Sequence, residues 1–408
     1  NLYILNGFHE YEGKVYFGAA NDASGLELWA SDGSPEGTTL IKDIAPGAGH
    51  SSPANFVSVA GKLYFTADDG TGVHLWKTDG TDEGTVKVKA VTPTLLTAAN
   101  GLLYFVASSV ANGQELWKSD GTENGTVMVK DIRPSFASSS PTSLTDVNGT
   151  LFFLATDGTG DKDLWKSDGS EAGTVKVKDL SAPAIADLTA VGDTLFFTAR
   201  NNDYGRELWK SDGTEAGTIM VKDIRVGNSD GLVDSGSSYF ENFGGMLYFL
   251  ADDGTSGKEL WKSDGTESGT VMVKDIRPGF NGSVPSNLTA ANGTLFFTAD
   301  DGSMGTELWK SDGTAAGTTL VKDIKSGGSI TLATPVAVGS VLYFLYDDGT
   351  HGNELWKSDG TAAGTFLVKD LAAGSSNPSL VSAFGNQLVF LATTSAGDFM
   401  HITPKVLP

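Results

Sequence analysis

The chain of 408 residues contains no cysteine, which excludes disulfide staples, thiolate nucleophiles and cysteine-ligated zinc. Histidine is scarce as well: His9, His50, His74, His351 and His401 lie far apart, so spacing suggests no His-rich metal cluster. No apolar run reaches membrane-spanning length, so no transmembrane segment is expected. Basic residues are also short, 28 against 50 acidic ones, for a formal charge of −22 and an isoelectric point near 4.5. Such a field repels phosphate backbones and anionic membranes, which argues against nucleic acid and suits cations or neutral ligands. The chain begins at Asn1 with no signal sequence and reads as a processed form or a fragment.

Glycine is plentiful, with 52 residues, and apolar residues make up 39%, a composition of frequent tight turns around a sizeable core. The eight tryptophans, Trp29, Trp76, Trp117, Trp165, Trp209, Trp261, Trp309 and Trp356, each follow Leu in a segment close to Glu-Leu-Trp-Lys-Ser-Asp-Gly-Thr. They recur every 41 to 52 residues, a period that suits one four-stranded propeller blade. Short apolar runs broken by Gly, Asp or Asn exclude helical repeats, which need apolar residues at i, i+3, i+4 and i+7. Residues 286–324 read as four strands, joined by Asn292-Gly293 as a type I′ hairpin and Ser311-Asp312-Gly313-Thr314 as an Asx-type turn. The fold class is therefore all-β, a single closed β-propeller domain over 1–408, with each tryptophan a wedge between blades.

Nine second-strand seeds occur, from Val15-Tyr16-Phe17 to Leu388-Val389-Phe390, one more than the tryptophans. The last unit lacks a fourth strand, and Leu2-Tyr3-Ile4-Leu5 resembles one. Nine blades are expected, the N-terminal strand completing the last, with eight blades as the alternative; if the link after Leu5 is too short to span, Leu2–Leu5 extends the first blade instead.

Glu115–Thr122, Glu207–Thr214, Glu259–Thr266, Glu307–Thr314 and Glu354–Thr361 all match Glu-Leu-Trp-x-x-Asp-Gly-Thr, and on these residues the chain resembles the ELWxxDGT-repeat proteins. The likeness covers almost the whole chain, with departures at Ala30, His74 and Asp163 and a degenerate final unit. It implies a bacterial, exported or surface-associated protein with propeller-like repeats, and no settled activity.

A residue found in every blade is explained first by what every blade shares. On that ground the Glu before Leu-Trp braces a loop, and Lys130-Asp131, Lys274-Asp275 and Lys322-Asp323 guard an exposed edge. Calcium is the one cofactor candidate. Asp252, Asp253, Asp300, Asp301, Asp347 and Asp348 form acidic turns, as do Asp68-Asp69, and Asp157, Asp161 and Asp163 alternate as in a calcium loop. Lys162 stands where such a loop wants glycine. Asymmetry marks a second candidate: the loop Asn201, Asn202, Asp203, Tyr204, Gly205 and Arg206, together with Asp230, Asp234 and Tyr239 from the longest interval between tryptophans.

Three functions compete on these residues. The first is a non-catalytic, monomeric platform, exported or on a bacterial cell surface, binding protein or glycan. The second is a hydrolase of polysaccharides or esters using axial carboxylates, and the third a calcium-stabilised structural repeat.

Overall fold

The computed structural model describes residues 3–4, 7–21, 23–180, 185–201, 203–232, 239–325, 328–330, 332–372, 374–394 and 397–403. Among them there is no helix. The strands form nine antiparallel sheets in chain order, seven of them four-stranded. The chain divides into two compact units, residues 1–181 with four sheets and 182–408 with five.

One sheet shows how the repeat folds. In the seventh, strands Ser286–Ala291, Thr294–Asp300, Thr306–Ser311 and Thr319–Lys322 pair in succession. Asn292 and Gly293 have φ of +36° and +84°, the left-handed pair that a type I′ turn demands. The Asp-Gly-Thr turn closes on itself: Asp312 accepts from the Thr314 amide at 2.8 Å and its hydroxyl at 2.7 Å. Ser311 Oγ takes the Gly313 amide at 2.9 Å and lies 2.8 Å from Thr318 Oγ1. Gly313 is required there, because φ is +87° and the Tyr248 hydroxyl of the preceding sheet occupies the place of a side chain. Four of the motif's residues are thus spent on one turn.

The core lies between sheets. Trp261 packs with Phe196, Leu208, Val221 and Ile224 of the fifth sheet, and Trp309 with Tyr248, Leu260, Val273 and Ile276 of the sixth. Trp76 and Trp165 meet the first and third sheets in the same way, Trp117 the second, and Trp356 the seventh. Trp29 and Trp209, in the first sheet of each unit, are partly buried. Within the sheet the ring lies over a cross-strand phenylalanine, as Trp209 does over Phe197 at 6.4 Å and 27°. A register shift between Leu and Trp in every complete third-to-fourth strand pairing of the second unit adds twist.

Two expectations are corrected. Tyr3–Ile4 pairs with Ala19 and Ala20 and so extends the first sheet, instead of completing the ninth, because too few residues separate it from the strand beginning at His9. The ninth sheet has three described strands, Ser379–Phe384, Gln387–Thr394 and Gly397–Ile402. The outer lysines are not simple edge guards either. Lys130 reaches the Thr174 carbonyl of the next sheet at 2.8 Å, Lys274 that of Thr318 at 2.7 Å and Lys322 that of Thr365 at 2.7 Å. The long stem lets each ammonium cross to an orphan turn carbonyl, tying successive sheets together.

Candidate functional site

The glutamate before Leu-Trp is fully buried, and burial alone would make its charge costly. Amides from the crossing to the next sheet offset that cost. Glu259 accepts from Ile276, Arg277 and Ser283 amides at 3.2, 3.1 and 2.9 Å, and from the Ser283 hydroxyl at 2.5 Å. Ser51, Ser139 and Ser376 give Glu27, Glu115 and Glu354 the same hydroxyl. The fifth sheet departs from this plan. Gly231 stands in the serine position, and the Glu207 carboxylate occupies the space where a Cβ would lie. Its three partners are amides, of Ile224, Gly231 and Arg225 at 2.9, 3.0 and 3.4 Å, and burial pushes its pKa up to about 7. Glu307 is also pushed up to about 7 by burial; its described donor is the Ile324 amide at 3.0 Å.

Around Glu207 the same sheet carries polar residues found in no other. Arg200 and Arg206 face each other across the hairpin, an arrangement that like charge disfavours. Asp230, from the crossing, relieves it: one oxygen accepts the Arg206 amide at 2.9 Å and the other lies 3.6 Å from Arg200 Nη1. The Arg206 side chain is 3% exposed and donates to Thr198 Oγ1 at 3.3 Å, and that hydroxyl donates to Asp187 at 3.2 Å. Asp203 and Tyr204 are exposed at the loop tip, and Tyr239 is partly buried. Asn201 ends its strand, while Asn202 and Asp234 lie outside the described residues. The structure thus brings Arg206 and Asp230 together and adds Arg200, Thr198 and Asp187, which sequence reasoning left out, beside Glu207, which it read as a loop brace. The available signal was Arg200 and Arg206 at the two ends of one short loop.

The acidic turns already hold cations of the chain's own. Asp252 accepts the Gly254 amide at 2.7 Å and pairs with Arg225 at 3.0 Å, and Asp300 pairs with Arg277 at 2.5 Å. Asp301 accepts the Ser303 hydroxyl at 2.7 Å and its amide at 2.8 Å, Asp253 turn amides at 2.7 and 2.8 Å, and Asp348 turn amides at 2.8 and 2.9 Å with the His351 ring 2.7 Å away, and these hold their carboxyls below the usual range. Asp347 accepts the Gly349 amide at 2.8 Å. Lys176 lies 2.8 Å from both Asp157 and Asp163, and Asp161 is exposed. Hydrogen bonds from Lys176 and Thr159 hold Asp157 well below the usual carboxylate range, whereas burial raises Asp163. Among the described residues no three His, Asp or Glu side chains converge as a metal site would need.

These features define an all-β protein of repeated antiparallel sheets, and among the described residues no helix is long and apolar enough to cross a membrane. No protein-family model matches the chain, and no curated protein matches it. Among solved structures it is similar to the computationally designed Ika8 protein, at 14% identity over 87% of this chain and 96% of that one, with a TM-score of 0.45. It is also similar to puromycin hydrolase, at 14% identity over 86% and 59% with a TM-score of 0.41. A prolyl endopeptidase gives 12% over 84% and 53%, also with a TM-score of 0.41. The chain spans little more than half the length of these two enzymes, and likeness at this level brings no activity to it.

Proposed function

We propose that this chain is a non-catalytic interaction platform, exported or displayed on a bacterial cell surface, that binds a protein or glycan through the fifth sheet's loop and crossing. On this reading the nine sheets are blades of one closed propeller, the chain acts as a monomer, and nucleic acid is not a partner. The observation that carries it is the contrast within the repeat: recurring Trp, Glu, Asp and Lys side chains are engaged in packing, turns and crossings, while the unrepeated polar residues gather at Arg200, Arg206 and Asp230. Carboxylates with raised pKa, which a hydrolase would need, accept amides of the crossings instead. Calcium stabilisation has less support, because the turns of Asp69, Asp157, Asp252 and Asp300 hold lysine or arginine.

The test is capture of surface proteins and arrayed glycans by the whole chain, with Tyr204→Ala and Arg200→Ala as variants. Tyr204 is 42% exposed and the Arg200 side chain 50% exposed, so neither change should disturb folding. Binding is expected to fall about tenfold or more in the double variant. Capture of nothing, alongside turnover of any polysaccharide or ester, would overturn the reading.

A further inference from the structure

Between the first and second sheets lies an open cleft of about 270 Å³, lined by Gly7, Phe8, His9, Ala54, Asn55 and Phe56. At its level the inner strand leaves the ladder, as it does in most of the other sheets, so what sets the cleft apart is its lining. In the second sheet Ala54 pairs with Thr66 and Val57 with Tyr64, so Asn55, at φ +55°, and Phe56 sit in a bulge. In the first sheet the ladder breaks between Ile4, opposite Ala19, and His9, opposite Tyr16.

The rings at this level are unlike those elsewhere. The third residue of the innermost strand is Leu96, Leu144, Leu188, Leu288, Pro335 or Val381 in other sheets, whereas Phe56 holds that place in the second sheet and Phe8 immediately precedes the His9–Tyr11 strand of the first. Phe240 precedes the sixth sheet's strand with Leu188 and Leu288 as its neighbours in that row, so it builds no such pair. Each ring is braced from behind: Phe8 meets Phe17 edge-on at 5.6 Å, and Phe56 leans on Phe65 at 5.7 Å. His9 stacks on Phe56 at 6.3 Å and 28°, with Nε2 2.9 Å from Ser58 Oγ. Burial lowers the His9 pKa, so its imidazole is neutral at neutral pH. The exposed Asn55 is tethered through Nδ2 to Thr66 Oγ1 at 3.1 Å.

We propose that this cleft binds one neutral pyranose ring, its C–H face on the Phe56 and Phe8 rings and its hydroxyls on the polar groups of Asn55 and His9. None of the six lining residues is Asp, Glu, Lys or Arg and the His9 imidazole is neutral, so the walls offer no fixed charge to an ionic ligand, and the charge of −22 repels anions further. The volume falls below the ~300–1,000 Å³ of sites for drug-sized molecules, which limits the occupant to about one ring. Braced aromatic faces beside a few polar groups are what an amphipathic ring with one apolar face requires. The inference rests on the platform reading and gives one of its ligands a chemical class.

The test is saturation-transfer NMR of the whole chain with methyl glucoside, galactoside and mannoside. Transfer to ring C–H protons is expected for at least one of them, with Kd about millimolar for so small a ligand. Phe56→Leu and His9→Thr install residues that other sheets carry at those places, so the fold is expected to survive, checked by the melting temperature. Each should weaken binding about tenfold or abolish it. Absence of transfer at tens of millimolar, unchanged transfer in both variants, or equal binding of glucuronate would overturn the proposal. If those results come while protein or longer-glycan capture persists, the cleft assignment alone falls; turnover of a captured glycan would overturn the platform reading instead.

Discussion

In the sixth sheet Glu259 is closed in by three amides and the Ser283 hydroxyl; in the fifth, Glu207 has three amides and a glycine where the serine would be. The two sheets adjoin in one unit, share the tryptophan, the turn and the outer lysine, and still differ in the donors given to one buried carboxyl. Both pKa values are raised by burial, and the Ser283 hydroxyl is the first counterweight at Glu259. Architecture is thus preserved where a single donor is lost, and the fifth sheet can carry the buried Arg206 and the Asp230 link without losing its crossing. The lesson is that tolerance to asymmetry comes from the backbone amides, which every crossing supplies whatever its side chains.

The largest effect should come from the wedge that both sheets share. Trp261→Ala removes a side chain 6% exposed between the fifth and sixth sheets and is expected to cost about 3–5 kcal/mol in urea unfolding. A loss under about 1 kcal/mol would mean the interface collapses around the gap and the tryptophan is not its main filler. Next comes the brace. Glu259→Ala strands buried amides and the Ser283 hydroxyl at once and should cost on the order of 3 kcal/mol, and Glu207→Ala somewhat less because it frees no hydroxyl. Equal losses would break the comparison between the two sheets.

Much of the repeat was legible because it answers local or periodic demands. Asn292-Gly293 and Ser311-Asp312-Gly313-Thr314 need only the turn's own dihedrals and donors, and the tryptophan period needs only a facing sheet. What escaped depends on reach in space. Tyr3–Ile4 resembles a fourth strand by composition, yet the short link decides which sheet it can join. Lys274 looks like an edge guard until the Thr318 carbonyl of the next sheet is seen within its stem's length. Arg200 and Asp230 are 30 residues apart, and only the hairpin register together with the crossing brings them within 3.6 Å. The acidic turns read as calcium ligands because charge is visible in sequence, whereas the Arg225 or Arg277 that meets them comes from the preceding crossing.

A smaller effect sharpens the comparison by pH. Glu207 has a folded pKa of about 7 against 4.5 for an ordinary glutamate, so the native state keeps a proton that the unfolded chain releases. Its contribution to stability is complete below pH 4.5 and is lost as pH rises through 7; Glu307 acts in the same direction. The lowered carboxyls of Asp69 and Asp157 act oppositely, but only below the ordinary aspartate value of 3.8. The melting temperature should therefore fall by a few degrees between pH 5 and 8. Gly231→Ser returns the hydroxyl, forces the Glu207 carboxylate back from the Cβ position and should flatten that slope. A slope untouched by this change would show that the missing serine is not what separates the fifth sheet from the sixth.

The smallest effect concerns cations. Where arginine or lysine already sits on a carboxylate, a metal ion must displace a charge held by the fold, and the pair it breaks is partly exposed and worth little, about 0–1 kcal/mol. Added calcium or EDTA should therefore move the wild-type melting temperature by less than about 1 °C, since mass action stabilises only what binds the native state. Lys176→Met tests the reason. It removes the ammonium 2.8 Å from both Asp157 and Asp163, leaving two carboxylates side by side with the exposed Asp161 in the same loop. Without the lysine these acids repel, so the variant should lose a little stability and recover part of it when calcium is added, because the ion then replaces the missing charge. A calcium response in the wild type as large as in the variant would mean that the ion does not need the lysine's place, and the acidic turns would have to be counted as ligands after all.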